Sequence, residues 1–135
     1  MEKLIEVKNL KTFFYTEAGV AKAVNNISFD ILKGEVLGIV GESGSGKSVT
    51  SLSINRLIPD PPGKIESGEI LYNGTNLLDL SYDEMSKYRG NHISMIFQEP
   101  MTSLNPVLKI STQMNEILMH HDGLSEEEAT QKSIE

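Results

Sequence analysis

The sequence predicts an α/β fold built around a phosphate-binding loop, and three adjacent observations predict it. Gly41-Glu42-Ser43-Gly44-Ser45-Gly46-Lys47-Ser48 matches the pattern G-x-x-x-x-G-K-[ST] at every fixed position. The apolar run at 35–40, Glu35-Val36-Leu37-Gly38-Ile39-Val40, precedes it and reads as a short buried parallel strand. Residues 46–58 follow it without a proline and read as a helix, with Val49, Leu52 and Leu57 on one side and Ile54 and Ile58 on another. Strand, loop and helix in that order aim the unsatisfied N–H groups and dipole of a helix N-terminus at whatever the loop encloses.

The elements around this unit can be placed in chain order. Residues 3–14 alternate Leu4, Glu6 and Lys8 against Ile5, Val7 and Asn9, which predicts a first strand. Glu17-Ala18-Gly19 predicts a turn, and residues 20–31 a second strand closed by Lys33-Gly34, so the chain opens as a small β layer. Pro59-Asp60-Pro61-Pro62-Gly63 ends the first helix, since proline cannot continue its hydrogen-bond ladder. Residues 68–72 and 75–80 flank Asn73-Gly74, the pair suited to a tight turn with positive φ, and predict a hairpin. Ser81 with Glu84 forms a capping box for a short helix to about Arg89. Residues 91–97 read as another strand, running into the polar loop 98–106, Gln98-Glu99-Pro100-Met101-Thr102-Ser103-Leu104-Asn105-Pro106. In an open α/β sheet, ligands gather at the carboxyl ends of strands, which singles out Gln98. Apolar residues at Val107, Ile110, Met114, Ile117 and Leu118 predict a helix over 107–121 with one buried stripe, ended by Gly123. Ser125 and Glu128 make a second capping box, starting a helix at Glu126.

The loop composition dictates its chemistry. Backbone N–H groups that turn inward around a polyanion need close approach and unusual dihedrals, which Gly41, Gly44 and Gly46 tolerate. Lys47 is placed to reach the β- and γ-phosphates of a nucleoside triphosphate, and the hydroxyl of Ser48 to enter the shell of Mg²⁺. A neutral carboxamide at Gln98 can offer its oxygen to Mg²⁺ or to an attacking water without adding charge beside the triphosphate.

Composition limits the alternatives. In 135 residues, 12 basic against 19 acidic side chains give a net charge of -7, which disfavours a surface that neutralises nucleic-acid phosphates. The absence of cysteine excludes disulfides and thiolate metal sites. No segment approaches the roughly 18 apolar residues that span a bilayer, and Met1-Glu2-Lys3 is not the start of a secretory signal, so a cytosolic or peripheral membrane location is expected. His120-His121-Asp122 has no evident third ligand, and adjacent helical residues point about 100 degrees apart, so it reads as a solvated helix end.

Across its whole length the chain resembles the nucleotide-binding subunit of an ABC transporter, through the phosphate loop, the strand ending in Phe97-Gln98 and the β-rich opening. Residues 98–106 and 41–58 are similar to the ATP-binding subunits of oligopeptide and dipeptide importers. The resemblance implies a P-loop NTPase fold of ABC type. Residues 1–34 would form its antiparallel β region, 35–98 part of the P-loop core, and 99–135 the start of a helical subdomain. It implies ATP and Mg²⁺ as cofactors, with ATP held by Phe14, Gly41, Glu42, Ser43, Gly44, Ser45, Gly46, Lys47, Ser48 and Val49. Ser48 and Gln98 would serve the metal, and Lys47 and Gln98 catalysis, with Gln98 in the glutamine loop that faces a permease's coupling helix. An aromatic at the end of the first strand would stack on adenine; Phe14 lies at the matching distance before the loop, with Phe13 and Tyr15 as alternatives.

The implied partners are transmembrane permease subunits, a second ATP-binding subunit and, indirectly, an external peptide-binding protein, at the cytoplasmic face of the membrane. The signature motif, the Walker B aspartate with its catalytic glutamate, and the switch histidine implied by the resemblance do not occur in these residues. The chain is therefore expected to be an N-terminal portion, an ATPase only at full length and inactive alone. The competing reading is a P-loop NTPase or non-transport ABC protein acting on nucleic acid or ribosomes; residues 99–106 favour the importer, and the acidic balance weakens the alternative.

Overall fold

The computed structural model describes residues 2–99 and 103–135, so Pro100, Met101 and Thr102 of the expected polar loop lie outside the described residues. The chain forms two compact units, Met1–Met85 and Ser86–Glu135.

The first unit is built on a four-stranded antiparallel sheet of order β2-β1-β3-β4. Its strands are β1 (Lys3–Thr16), β2 (Gly19–Leu32), β3 (Gly63–Tyr72) and β4 (Thr75–Asn76). The expected turn at Glu17-Ala18 joins β1 to β2, with Thr16 facing Gly19 and Lys3 facing Leu32. Alternation buries Ile5, Val7 and Leu10 of β1 with Val24 of β2 and Ile70 of β3. The β1–β2 register slips between Val7 and Leu10, where Asn9 has φ 48° and Asn26 has φ 61°. Asparagine is among the few residues that tolerate this left-handed region, and the Asn9 N–H donates to Ser28 Oγ at 2.8 Å.

The Asn73-Gly74 hairpin forms as expected, with positive φ at both residues (47° and 84°), the signature of a type I′ turn. Its second arm is shorter than the expected 75–80. Asn76 Oδ1 accepts from Ile70 N (3.2 Å) and Leu78 N (3.3 Å), and this side-chain cap turns the chain into a 3-10 turn, Leu77–Asp79. The Ser81–Glu84 capping box then starts α2 (Tyr82–Tyr88): Glu84 Oε2 accepts from the Ser81 N–H and Oγ–H, both at 2.8 Å.

Two expectations around the loop are corrected. Residues 35–40 join no sheet among the described residues, and Val36 and Val40 are 96% and 93% exposed. An apolar run becomes a strand only where a neighbour supplies its hydrogen bonds, and none of the described strands does. The helix after the loop, α1 (Lys47–Ile54), is shorter than the expected 46–58. Its stop is Arg56 at φ 51°, held there by guanidinium hydrogen bonds to Leu77 O (3.0 Å) and Leu80 O (2.6 Å). The face of α1 turned inward carries Thr50, Ser53 and Ile54 rather than an apolar stripe.

In the second unit the expected strand 91–97 is replaced by an isolated bridge between Arg89 and Ile93. Helix α3 (Ile110–Asp122) begins three residues later than expected, and Gly123 caps its end at φ 66°. Helix α4 (Glu126–Ile134) starts at Glu126 behind the Ser125–Glu128 capping box, as the sequence indicates. The stripe on α3 is not buried: Ile110 and Ile117 are 62% and 61% exposed. The buried residues of α3 and α4 are Asn115 and Ala129, and polar contacts join the two helices. Buried Asn115 donates to Thr130 Oγ1 at 2.6 Å and accepts from Ser133 Oγ at 3.1 Å.

Candidate nucleotide-binding site

Residues 41–49 come together at the N-terminus of α1, against β2. Gly46 is the residue before the helix, in the left-handed region at φ 91°, and makes no side-chain cap. A Cβ there would run into the carbonyl oxygen of Ala23 on β2, so only glycine lets the loop lie this close to the sheet. The Gly46 carbonyl is held in turn by Thr50, through its N–H (2.8 Å) and its hydroxyl (2.9 Å). Ala23 and residues 44–49 line a shallow pocket of about 140 Å³. A larger hollow of about 340 Å³ beside Arg56, Asp60 and Lys64 lacks this arrangement of loop amides and a helix N-terminus.

Lys47 folds back over the loop. Its ammonium donates to Gly41 O and Glu42 O, both at 2.7 Å, and to Ser45 Oγ at 3.3 Å. Ammonium offers three donors, and the loop takes up all three. The charge is therefore held by residues 41–45, in the loop that leads into α1, whose first-turn amides have no partner within the helix. An ammonium, a helix N-terminus and a glycine-lined turn are the groups from which an anion site is built, and their chemistry fits a polyphosphate. Ser48, the second residue of α1, is exposed, so its hydroxyl is accessible to an incoming group.

The base of the site is tied down by a connection that sequence reading missed. Ser53 Oγ donates to Val49 O at 2.7 Å and shares a fully buried hydrogen bond of 2.9 Å with Thr12 Oγ1 of β1. The signal was available: Thr50 and Ser53, three apart, put two hydroxyls on one face of the helix.

The three aromatics at the end of β1 have different surroundings. The Phe13 ring lies beneath Lys22, with Nζ 5.7 Å from its centroid. Phe14 faces Gly63 across the β1–β3 pairing, and a Cβ on Gly63 would come within 2.8 Å of Phe14 Cε1. Tyr15 donates its hydroxyl to Glu66 Oε1 at 2.8 Å. That hydrogen bond raises the Tyr15 phenol above its ordinary value and lowers the Glu66 carboxyl. Gln98 belongs to the second unit, where it is exposed in a bend.

Known proteins bear on this geometry. The family model of ABC transporters matches residues 24–134. The oligopeptide transport ATP-binding protein OppD of Bacillus subtilis is 50% identical over 133 residues, covering 98% of this chain and 37% of that protein. The dipeptide transport ATP-binding protein DppD of Lactococcus lactis is 51% identical over 135 residues, covering 99% of this chain and 38% of that protein. The chain thus spans under two fifths of the length of these two curated relatives. Among solved structures, the dimeric bacterial ABC transporter cassette MJ0796 superposes with a TM-score of 0.79 at 28% identity, over 96% of this chain and 54% of the cassette. A post-hydrolysis form of the same cassette, bound to ADP and Pi, gives 0.77 at 26% identity, with the same coverage. The sheet, the glycine loop and the helix behind it are those of an ATP-binding cassette's N-terminal portion, and the chain belongs to the ABC transporter family.

Proposed function

We propose that this chain is the N-terminal portion of an ATP-binding subunit that powers peptide import through an ABC transporter. The observation that carries the reading is the Lys47 ammonium held in the 41–48 loop at the start of α1, in a chain half identical to peptide transport ATP-binding proteins. ATP with Mg²⁺ supplies the free energy that the transporter spends. Residues 41–49 bind its phosphates through loop amides and Lys47, and the Ser48 hydroxyl is the protein's offering to the metal. An incoming phosphate takes over at least one Lys47 hydrogen bond, and the longest, to Ser45 Oγ at 3.3 Å, is the cheapest to surrender. Phe14 is the aromatic assigned to the base. Gln98 senses the nucleotide and passes its state to the permease.

In this reading the subunit pairs with a second ATP-binding subunit and attaches to the cytoplasmic face of the membrane through permease subunits. Peptides reach it indirectly, by way of an external binding protein. No helix among the described residues is long and apolar enough to cross a membrane. The test uses the full-length protein: it should bind ATP more tightly with Mg²⁺, copurify with hydrophobic permease subunits, and lose turnover on Gln98→Ala much more than ATP affinity. Copurification with ribosomes or DNA, or equal losses of turnover and affinity, would contradict the proposal.

A further inference from the structure

The strongest unassigned feature outside the phosphate loop is a glutamine side chain wrapped by backbone. Helix α3 starts without an ordinary cap: Lys109 precedes it and makes no side-chain hydrogen bond to its amides. Gln113, one turn in, reaches back instead. Its Oε1 accepts from Asn105 N at 2.8 Å, and its Nε2 donates to Asn105 O at 3.0 Å and Leu108 O at 3.1 Å, with a longer approach to Lys109 O at 3.5 Å. Both ends of one carboxamide thus meet both polar groups of one peptide residue, a two-point contact that fixes orientation as well as distance. The turn is closed from within as well, since Asn105 Oδ1 accepts from Val107 N at 3.0 Å and Asn105 O from Leu108 N at 3.2 Å.

The chemistry is demanding. Asn105 needs one acceptor and one donor together, and Leu108 needs a donor. Of the uncharged side chains only a carboxamide supplies an acceptor and two donors from a single flat group. Asparagine at 113 would be one methylene short, glutamate would bring a carboxylate against carbonyl oxygens, and lysine or arginine could not accept from Asn105. The late start of α3 follows from the same contacts: residues 105–109 are committed to Gln113 and to one another.

We propose that Gln113 is a positioning residue for coupling: its carboxamide locks residues 105–109 to the first turns of α3, so that the segment and the helix move as one body. A lever transmits displacement only as far as its joints are stiff, and this clamp removes a joint from the stretch that follows Gln98. The inference rests on the transport reading above, in which Gln98 signals to a permease; it adds the element that carries the signal onward. Gln113 touches neither nucleotide nor metal in this scheme, so its loss should spare ATP binding.

The experiment uses full-length protein reconstituted with its membrane partners in lipid vesicles. Gln113→Met keeps the side chain's length without its polar ends, and Gln113→Glu keeps the acceptor without the donors. Both variants should bind ATP within about twofold of the parent, whereas partner-stimulated hydrolysis should fall about tenfold or more, the loss expected when a joint opens at the free energy of a net hydrogen bond or two. In the Met variant the Asn105 amide should exchange its hydrogen about tenfold faster while amides in β1 are unchanged, which separates a freed joint from general unfolding. Unchanged exchange at Asn105 overturns the clamp, and faster exchange with undiminished stimulation overturns its role in coupling. A parent protein that no membrane partner stimulates overturns the transport reading and this role together, recognisably, because there the parent fails and not the variant.

Discussion

The Lys47 ammonium lies 2.7 Å from the carbonyl oxygen of Gly41, the residue that opens the loop, so the cation proposed to serve the ligand also closes the loop on itself. Removing it has two effects. Lys47→Ala should weaken ATP binding about 10- to 100-fold, the equivalent of a charge-assisted hydrogen bond. It should also free the Gly41 and Glu42 carbonyls, loosening the loop before any nucleotide arrives. Calorimetric titration of the full-length protein measures the first effect, and an unchanged affinity would remove Lys47 from the site.

Gly44 and Gly46 both have positive φ, at 80° and 91°, but only Gly46 is crowded. A Cβ on Gly44 meets nothing within 4 Å, whereas one on Gly46 strikes the Ala23 backbone. Gly44→Ala should therefore cost about 1–2 kcal/mol of backbone strain. Gly46→Ala carries the same strain and must also displace β2, adding at least about 1 kcal/mol. Chemical denaturation of the two variants side by side gives the comparison. Equal costs would mean that loop and sheet do not touch as described.

The phosphate loop was legible because its chemistry fixes residue types at fixed spacing, and the Asn73-Gly74 turn and both capping boxes because their causes lie within four residues. What escaped depends on distant partners. Residues 35–40 have the composition of a strand, but a ladder needs a neighbour that local sequence does not name. Helix α1 ends short of Arg56, an ordinary helix former, whose guanidinium is bound by Leu77 O and Leu80 O. The start of α3 is set by Gln113 reaching back to Asn105, and its buried side chain is Asn115 rather than the Ile110–Ile117 stripe, because α4 offers Thr130 and Ser133. At the end of α1 and along α3 a polar contact to another segment overrode an apolar pattern, whereas residues 35–40 lack a partner strand.

The Thr12–Ser53 pair predicts an asymmetry. Thr12→Val removes one partner, yet Ser53 keeps its hydrogen bond to Val49 O, so the cost should be about 1 kcal/mol. Ser53→Ala strands the Thr12 hydroxyl with no solvent access, and an unsatisfied buried group costs about 1–3 kcal/mol. The double variant should cost less than the two single costs added. Equal single costs, or strict additivity, would show that the hydroxyls do not share a bond in solution.

The Ser125–Glu128 capping box should make the start of α4 sensitive to acid. Hydrogen bonds from the Ser125 N–H and then its hydroxyl lower the Glu128 carboxyl below its ordinary 4.5, since both favour the ionised form. A depressed value in the folded state means that the cap contributes fully above the ordinary value and is lost as pH falls through the lowered one. Amide exchange in the first turn of α4 should therefore be steady near neutrality and, after correction for intrinsic rates, accelerate only in acid. Glu128→Gln can still complete a capping box but cannot titrate, so it should flatten that dependence. An identical acid response in this variant would move the effect from Glu128 to another group.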